Sequence, residues 1–308
     1  MYCTTRNVFC MQEQIKVGFC IAYDWYLLEH SLPLVYDAAD IICLSLDKKR
    51  ISWSGKKYDF DEVGFNDLIK RIDTQHKVQV LEADFSLSSL SPMQNEVRQR
   101  NRMAEFMGKG GWHIQLDCDE YFIHFSDFVK YLRELPQRKY SYNVCCPLIT
   151  LFKQVEEGFL YVVPNQKEKL EYIQIATLTP NYKYGRRNGD FNVYTNFLIM
   201  HQSWARTEKE IRQKIKNWGH NKDFDQSDFF SRWIGLNGSN YHRLKNFHPM
   251  VPDAWSQLKL NKSHSIITLL TTFVKKDFPS YPTWQLFIKN SLLFSRVRAF
   301  WKKMLSRE

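Results

Sequence analysis

Gly110-Gly111-Trp112-His113-Ile114-Gln115-Leu116-Asp117-Cys118-Asp119-Glu120-Tyr121-Phe122 is the stretch that decides how this chain folds. Residues 112–116 read as a short apolar strand, and the strand runs directly into three acidic residues before aromatics resume. Strands end at sheet edges, so Asp117 and Asp119 are expected side by side where a ligand can reach them. Paired carboxylates in that position offer hard oxygen ligands to a divalent cation. The spacing alone is common, so its surroundings must carry the reading.

Upstream, residues 17–23 form an apolar strand pattern that closes on Asp24, and residues 41–46 form a second that closes on Asp47. Residues 78–83 read as a third strand. Between the first two, residues 25–32 suit a short helix stopped by Pro33. Ser91-Pro92-Met93-Gln94 is a capping box with proline at the first helical position. It opens a helix to about Met107, with Met93, Val97, Ala104 and Met107 expected on the core face. Strands alternating with helices predict an α/β fold with a mainly parallel central sheet flanked by helices. Ligands of such sheets bind beyond the carboxyl ends of the strands, where Asp24, Asp47, Asp117 and Asp119 would all lie.

Further along, residues 125–135 read as a helix and 144–152 as a strand. Thr207-Glu208-Lys209-Glu210 is a second capping box, opening a helix with Ile211, Ile215 and Trp218 at helical spacing. Residues 1–255 are read as one catalytic domain and 256–308 as a helical, basic and aromatic C-terminal tail. In that tail Trp284, Phe287, Leu292, Phe294, Val297, Phe300, Trp301 and Leu305 mix with Lys289, Arg296, Arg298, Lys302 and Lys303. Such a helix either lies in an anionic membrane interface or packs on the domain.

The chain has 308 residues and a formal charge of +10, which favours polyanionic partners such as nucleotide diphosphates or phospholipid headgroups. No nucleic-acid-binding motif is legible. Its seven cysteines are scattered without a Cys-x-x-Cys pair, which argues against a disulfide scaffold or structural zinc. No leader-like or spanning apolar run occurs, so the expected location is cytoplasmic, with possible peripheral attachment to the inner face of the cell membrane.

Asn95-Glu96-Val97-Arg98-Gln99-Arg100-Asn101, followed by Gly111 to Glu120 and then by His201-Gln202-Ser203-Trp204 and Asn217-Trp218-Gly219-His220, resembles the glycosyltransferases of the GT-A fold, particularly bacterial family 2-like enzymes. The resemblance covers roughly residues 17–228 and departs in the loop after the first strand. It implies a GT-A-like nucleotide-diphospho-sugar transferase fold and a Mn²⁺ or Mg²⁺ ion held by Asp119. Asp117 would contact that ion or the nucleotide ribose. The donor would be a nucleotide-diphosphate sugar. The acceptor would be a saccharide or lipid-linked saccharide of a cell-surface glycan such as lipopolysaccharide or capsule.

Other candidates rest on position. His201 ends an apolar run and is either a further metal ligand or a structural histidine; His220 is a lesser candidate. Asp24 and Asp47 are candidates for nucleotide contact, with a plain turn as the rival for Asp47. Arg98 and Arg102, four apart, either meet a diphosphate or form a solvated face with Glu105. Glu120 either joins the cluster or faces solvent. A base for the acceptor hydroxyl is sought among Asp223, Asp225, Asp228 and Asp190. The rival functions are metal-dependent nucleotidyl or phosphoryl transfer, and non-catalytic binding to membranes or polyanions.

Overall fold

In the computed structural model, the structure describes residues 13–136, 138–163, 171–219, 223–273 and 280–297. The apolar runs at the N-terminal end form β1 (Ile15–Ile21), β2 (Ile41–Asp47) and β3 (Val78–Ala83), and the opening stretch forms β4 (Trp112–Asp117). These four pair in parallel in the order β3-β2-β1-β4. Every residue of β1 is buried, as expected of a central strand covered on both faces. Register places Cys20 beside Asp117 and Asp47 beside Ala83, so the carboxyl ends line one edge.

α1 (Leu28–Tyr36), α2 (Glu62–Ile72), α3 (Pro92–Phe106) and α4 (Phe125–Glu134) flank this sheet. The molecule is thus α/β with a parallel central sheet between helices, as the alternation of elements predicts. Pro33 does not stop α1. A 3₁₀ turn at Trp25–Leu27 leads into a helix that passes through the proline, because burial of Leu28, Leu32, Val35 and Tyr36 outweighs one missing N–H donor. Ser91 and Gln94 form the expected reciprocal cap of α3.

The buried face of α3 differs from the sequence expectation. Ala104 and Met107 are buried as expected, but Met93 and Val97 are only half-buried, and Asn95, Gln99, Arg100 and Met103 point inward. A polar stripe faces in because it reaches the strand ends. Gly111, with φ of +72°, turns the chain from α3 into β4, and a side chain there would meet the Gln14 carbonyl at 2.6 Å.

Beyond β4 the sheet becomes antiparallel, through β8 (Tyr172–Thr177), β6 (Tyr142–Val155), β7 (Gly158–Val163) and β11 (Gln257–Asn261). β9 (Phe191–Tyr194) joins β6 in parallel. β10 (Ile199–His201) lies between β6 and the short β5 (Glu120–Phe122), which sets His201 opposite Glu120. α5 (Glu208–Asn217), capped by Thr207 and Glu210 as expected, and α6 (Gln226–Ile234) follow.

The region after residue 255 begins as sheet, since β11 is an edge strand on β7. α7 (Ile266–Thr272) and α8 (Thr283–Lys289) follow. Trp284, Phe287 and Leu293 are exposed. Phe300, Trp301, Lys302, Lys303 and Leu305 lie outside the described residues, as does Arg298. No helix among the described residues is long and apolar enough to cross a membrane. Cys20, Cys43, Cys118, Cys145 and Cys146 are all free and buried, so no disulfide scaffold forms among the described cysteines.

Candidate functional site

A cavity of about 210 Å³ opens at the carboxyl ends of β1, β2 and β4. Asp24, Asp47, Asp117 and Asp119 line it together with Trp53, Tyr58, Gln99, His201, Lys214 and Asn217. The four strand-end aspartates therefore converge on one cavity.

The carboxylates hold different partners. Asp119 is almost fully buried, and its Oδ2 accepts from Lys214 Nζ at 3.2 Å and from Arg206, while His201 Nε2 lies 3.3 Å away. Burial pushes the Asp119 carboxyl up, but the Lys214, His201 and Arg206 groups outweigh it and hold it well below the usual carboxylate range. Asp117 accepts from both Arg100 and Arg186, each at 2.9 Å at its shortest. Burial opposes that charge too, and Arg100 and Arg186 hold Asp117 below its ordinary value. Asp24 accepts from Arg206 at 2.9 Å, so one guanidinium bridges the ends of β1 and β4.

Glu120 joins the cluster. It is buried and accepts from Arg186 at 2.7 Å and from the Asp117 backbone N–H. Burial dominates, and the Glu120 carboxyl is raised despite Arg186. Lys214 is shifted down, first by burial and then by the nearby Arg206 charge. Asp47 also lines the cavity, yet its two oxygens accept from four backbone N–H groups, those of Lys49, Ile51, Phe85 and Ser86. That fills a carboxylate's acceptor positions, so Asp47 fixes the loops around the cavity.

The remaining expectations fall elsewhere. Arg98 is half-buried and reaches the Asp84 carbonyl at 3.4 Å. Arg102 is exposed and makes no ion pair with Glu105 among the described residues. Neither lines the cavity; Arg100, on the other side of the same helix, does the pairing. Asp225 caps α6, Asp228 pairs with Arg232 on its surface, and Asp190 accepts from Thr179. Asp223 has a partner and, like Asp190, is absent from the cavity lining. His220 lies outside the described residues.

The cations that organise the site were not singled out from sequence. Arg206 and Lys214 lie 87 and 95 residues from Asp119. A basic residue five beyond His201 and another inside a capped helix were the available signals.

A second cavity, of about 400 Å³, adjoins the first. Asp117, His201, Ser203, Trp204 and Trp218 belong to both linings. Its other walls include Glu96, Glu120, Glu171, Tyr172, Tyr184, Arg186, Arg187 and Trp255.

The acidic pair can be tested for a divalent ion. Adjacent ligands on an octahedral Mg²⁺ stand about 3.0 Å apart, given ligand distances near 2.1 Å, and Asp119 Oδ2 lies 3.3 Å from His201 Nε2. No group of three potential ligands occurs among the described residues. One carboxylate and one imidazole, completed by phosphate and water, suit Mn²⁺ better than Mg²⁺, which takes oxygen ligands. Asp119 and His201 stand at a separation such an ion can bridge, but Asp119 is held by Arg206 and Lys214 just as Asp117 is by Arg100 and Arg186, so an ion would have to compete for its oxygens.

No protein-family profile matches the chain, and no curated protein matches it. Solved structures do match. In one, a 4-diphosphocytidyl-2C-methyl-D-erythritol synthase, the alignment covers 54% of this chain and 73% of that chain, at 9% identity and a TM-score of 0.31. A match at that level assigns neither family nor activity.

Proposed function

We propose that this chain is a glycosyltransferase that takes a sugar from a nucleotide-diphosphate donor and passes it to a saccharide hydroxyl. The observation that carries the reading is the convergence of Asp24, Asp117, Asp119 and Lys214 on one cavity at the carboxyl edge of a parallel sheet, with Arg206 buried behind it and bridging Asp24 and Asp119. The second, aromatic-walled cavity beside it has room for an acceptor.

In this reading the first cavity takes the nucleoside diphosphate. Trp53 and Tyr58 offer aromatic surface to the base. Lys214 spends one of its three N–H donors on Asp119, which leaves donors for phosphate oxygens. Arg206 ties Asp24 to Asp119 and keeps the two strand ends at fixed separation.

Charge decides whether these groups suffice. Asp24, Glu96, Asp117, Asp119 and Glu120 are five carboxylates set against the four cations Arg100, Arg186, Arg206 and Lys214. The cluster has no surplus positive charge for an incoming diphosphate. We therefore place Mg²⁺ or Mn²⁺ on Asp119 and His201, where it would stabilise charge on the departing diphosphate. The remaining work falls to this chain's own residues: Asp47 holds the loops, Arg206 the strand ends and Lys214 a phosphate oxygen. The acceptor would be a saccharide of a cell-surface glycan, reached by a cytoplasmic enzyme at the inner face of the membrane.

Calorimetric titration of UDP, GDP, dTDP and CMP, each with and without Mn²⁺, tests the reading. Metal-dependent binding of one nucleotide, lost in Asp119→Ala, supports it. Absence of binding under every condition sinks it. Product analysis then separates reaction types: nucleoside diphosphate marks glycosyl transfer, and pyrophosphate marks nucleotidyl transfer.

A further inference from the structure

Four carboxylates line the second cavity, and three are already engaged. Glu96 pairs with Arg100, Asp117 with Arg100 and Arg186, and Glu120 with Arg186. Glu171 differs: among the described residues its carboxylate has neither a hydrogen bond nor an ion pair. Its backbone is fixed, because its carbonyl accepts from Leu148 N–H at 2.9 Å and the next residue begins β8. The side chain keeps solvent access within the cavity. A paired carboxylate has spent its lone pairs on a cation, whereas a free one can take a proton from a hydroxyl.

We propose that Glu171 is the catalytic base and that the second cavity holds the acceptor saccharide. This rests on the glycosyltransferase reading above and deepens it. The aromatic walls formed by Tyr172, Tyr184 and Trp218 suit the apolar faces of a sugar ring. The shared wall at Asp117 and His201 sets the acceptor against the donor.

The step balances as follows. Glu171 takes the proton of the acceptor hydroxyl, and that oxygen forms a bond to the donor's anomeric carbon. The bond from that carbon to the diphosphate oxygen breaks, and its electron pair leaves with the nucleoside diphosphate. Attack from the face opposite the leaving group inverts the anomeric configuration.

The test uses water as acceptor and UDP-glucose, UDP-N-acetylglucosamine, GDP-mannose and dTDP-glucose as donors. The wild type is expected to release nucleoside diphosphate slowly from one of them, and proton NMR should show the inverted anomer first. Glu171→Gln should lower that rate about 100-fold or more, with nucleotide affinity by calorimetry unchanged, and Glu171→Asp should recover part of it. Wild-type rates in Glu171→Gln, or a retained anomer, overturn the assignment and leave the glycosyltransferase reading standing. So does nucleotide binding without release from any donor. If the wild type binds no nucleotide at all, the broader reading fails and takes this one with it.

Discussion

Replacing Asp119 with asparagine removes one charge from the centre of the site at almost constant volume. The structure allows the cost to be worked out. Arg206 keeps Asp24 at 2.9 Å, so it stays paired. Lys214 has Asp119 as its ion-pair partner and is 10% exposed, so its ammonium loses its counter-charge. Breaking a buried pair costs about 3–5 kcal/mol. The lower end applies here, because an amide oxygen still accepts a hydrogen bond, giving about 3 kcal/mol at pH 7. For a chain of this size that corresponds to a fall in Tm of about 5 °C.

The sign of the pH dependence follows from the same contacts. Wild-type Asp119 is held below its ordinary value, so its contribution is present above the unfolded carboxylate pKa. It is lost as pH falls through the depressed folded value. In Asp119→Asn the cost comes from a buried lysine that burial already shifts down. That cost should shrink as pH rises toward the ordinary lysine value of about 10.4, and vanish only above it, where Lys214 is neutral in both states. Urea unfolding of both proteins at pH 7 and pH 10, with nucleotide titration at pH 7, reads both effects. Equal midpoints at pH 7, or metal-dependent nucleotide binding that survives in Asp119→Asn, would refute this account of the site.

Because Lys214 and Arg206 already share Asp119 Oδ2, Mn²⁺ should bind weakly alone and tightly only with a nucleoside diphosphate; equal affinity in a spin-resonance titration with and without UDP, GDP or dTDP would contradict this competition. His113 is buried, and its pKa is lowered to about 4, chiefly by burial. It should therefore cost about 3 kcal/mol of stability as pH falls from 6.5 to 4, and His113→Phe should flatten that part of the stability profile. Burial raises the five described thiols, with Cys20, Cys43 and Cys146 pushed up to about 12; iodoacetamide at pH 8 should leave all five unmodified in the native protein and label them in urea. Trp284 and Phe287 are exposed at 63% and 74%, near Lys289 and Arg296. Replacing both with alanine should weaken co-sedimentation with phosphatidylserine vesicles about tenfold or more, and unchanged sedimentation would assign these side chains no part in membrane contact.

What could be read from the sequence, and what could not, divides along a physical line. β1 and β2 were legible because a central parallel strand is a continuous apolar run, β3, at the edge of the sheet, was legible as a short strand that alternates apolar and polar residues, and the strand-end positions of Asp24, Asp47 and Asp117 followed from where the runs stop. The two capping boxes were legible because both partners lie within one turn. The charge partners were not, since hydropathy carries no information about which distant cation meets which carboxylate. Arg206 and Lys214 reach Asp119 only through the placement of β10 and α5. The choice of Arg98 and Arg102 over Arg100 has a sharper cause. Apolar periodicity assumes that the apolar face of a helix is the buried one. α3 buries Asn95, Gln99 and Arg100 instead, with Asn95 and Gln99 one turn apart. Those side chains have definite places: Gln99 donates to Ser45, Asn95 donates to the Trp53 carbonyl, and Arg100 pairs with Asp117. A buried polar stripe is costly unless each member is satisfied. A helix that carries one, aimed at the carboxyl edge of the sheet, therefore marks the site more directly than the acidic triplet from which the reading began.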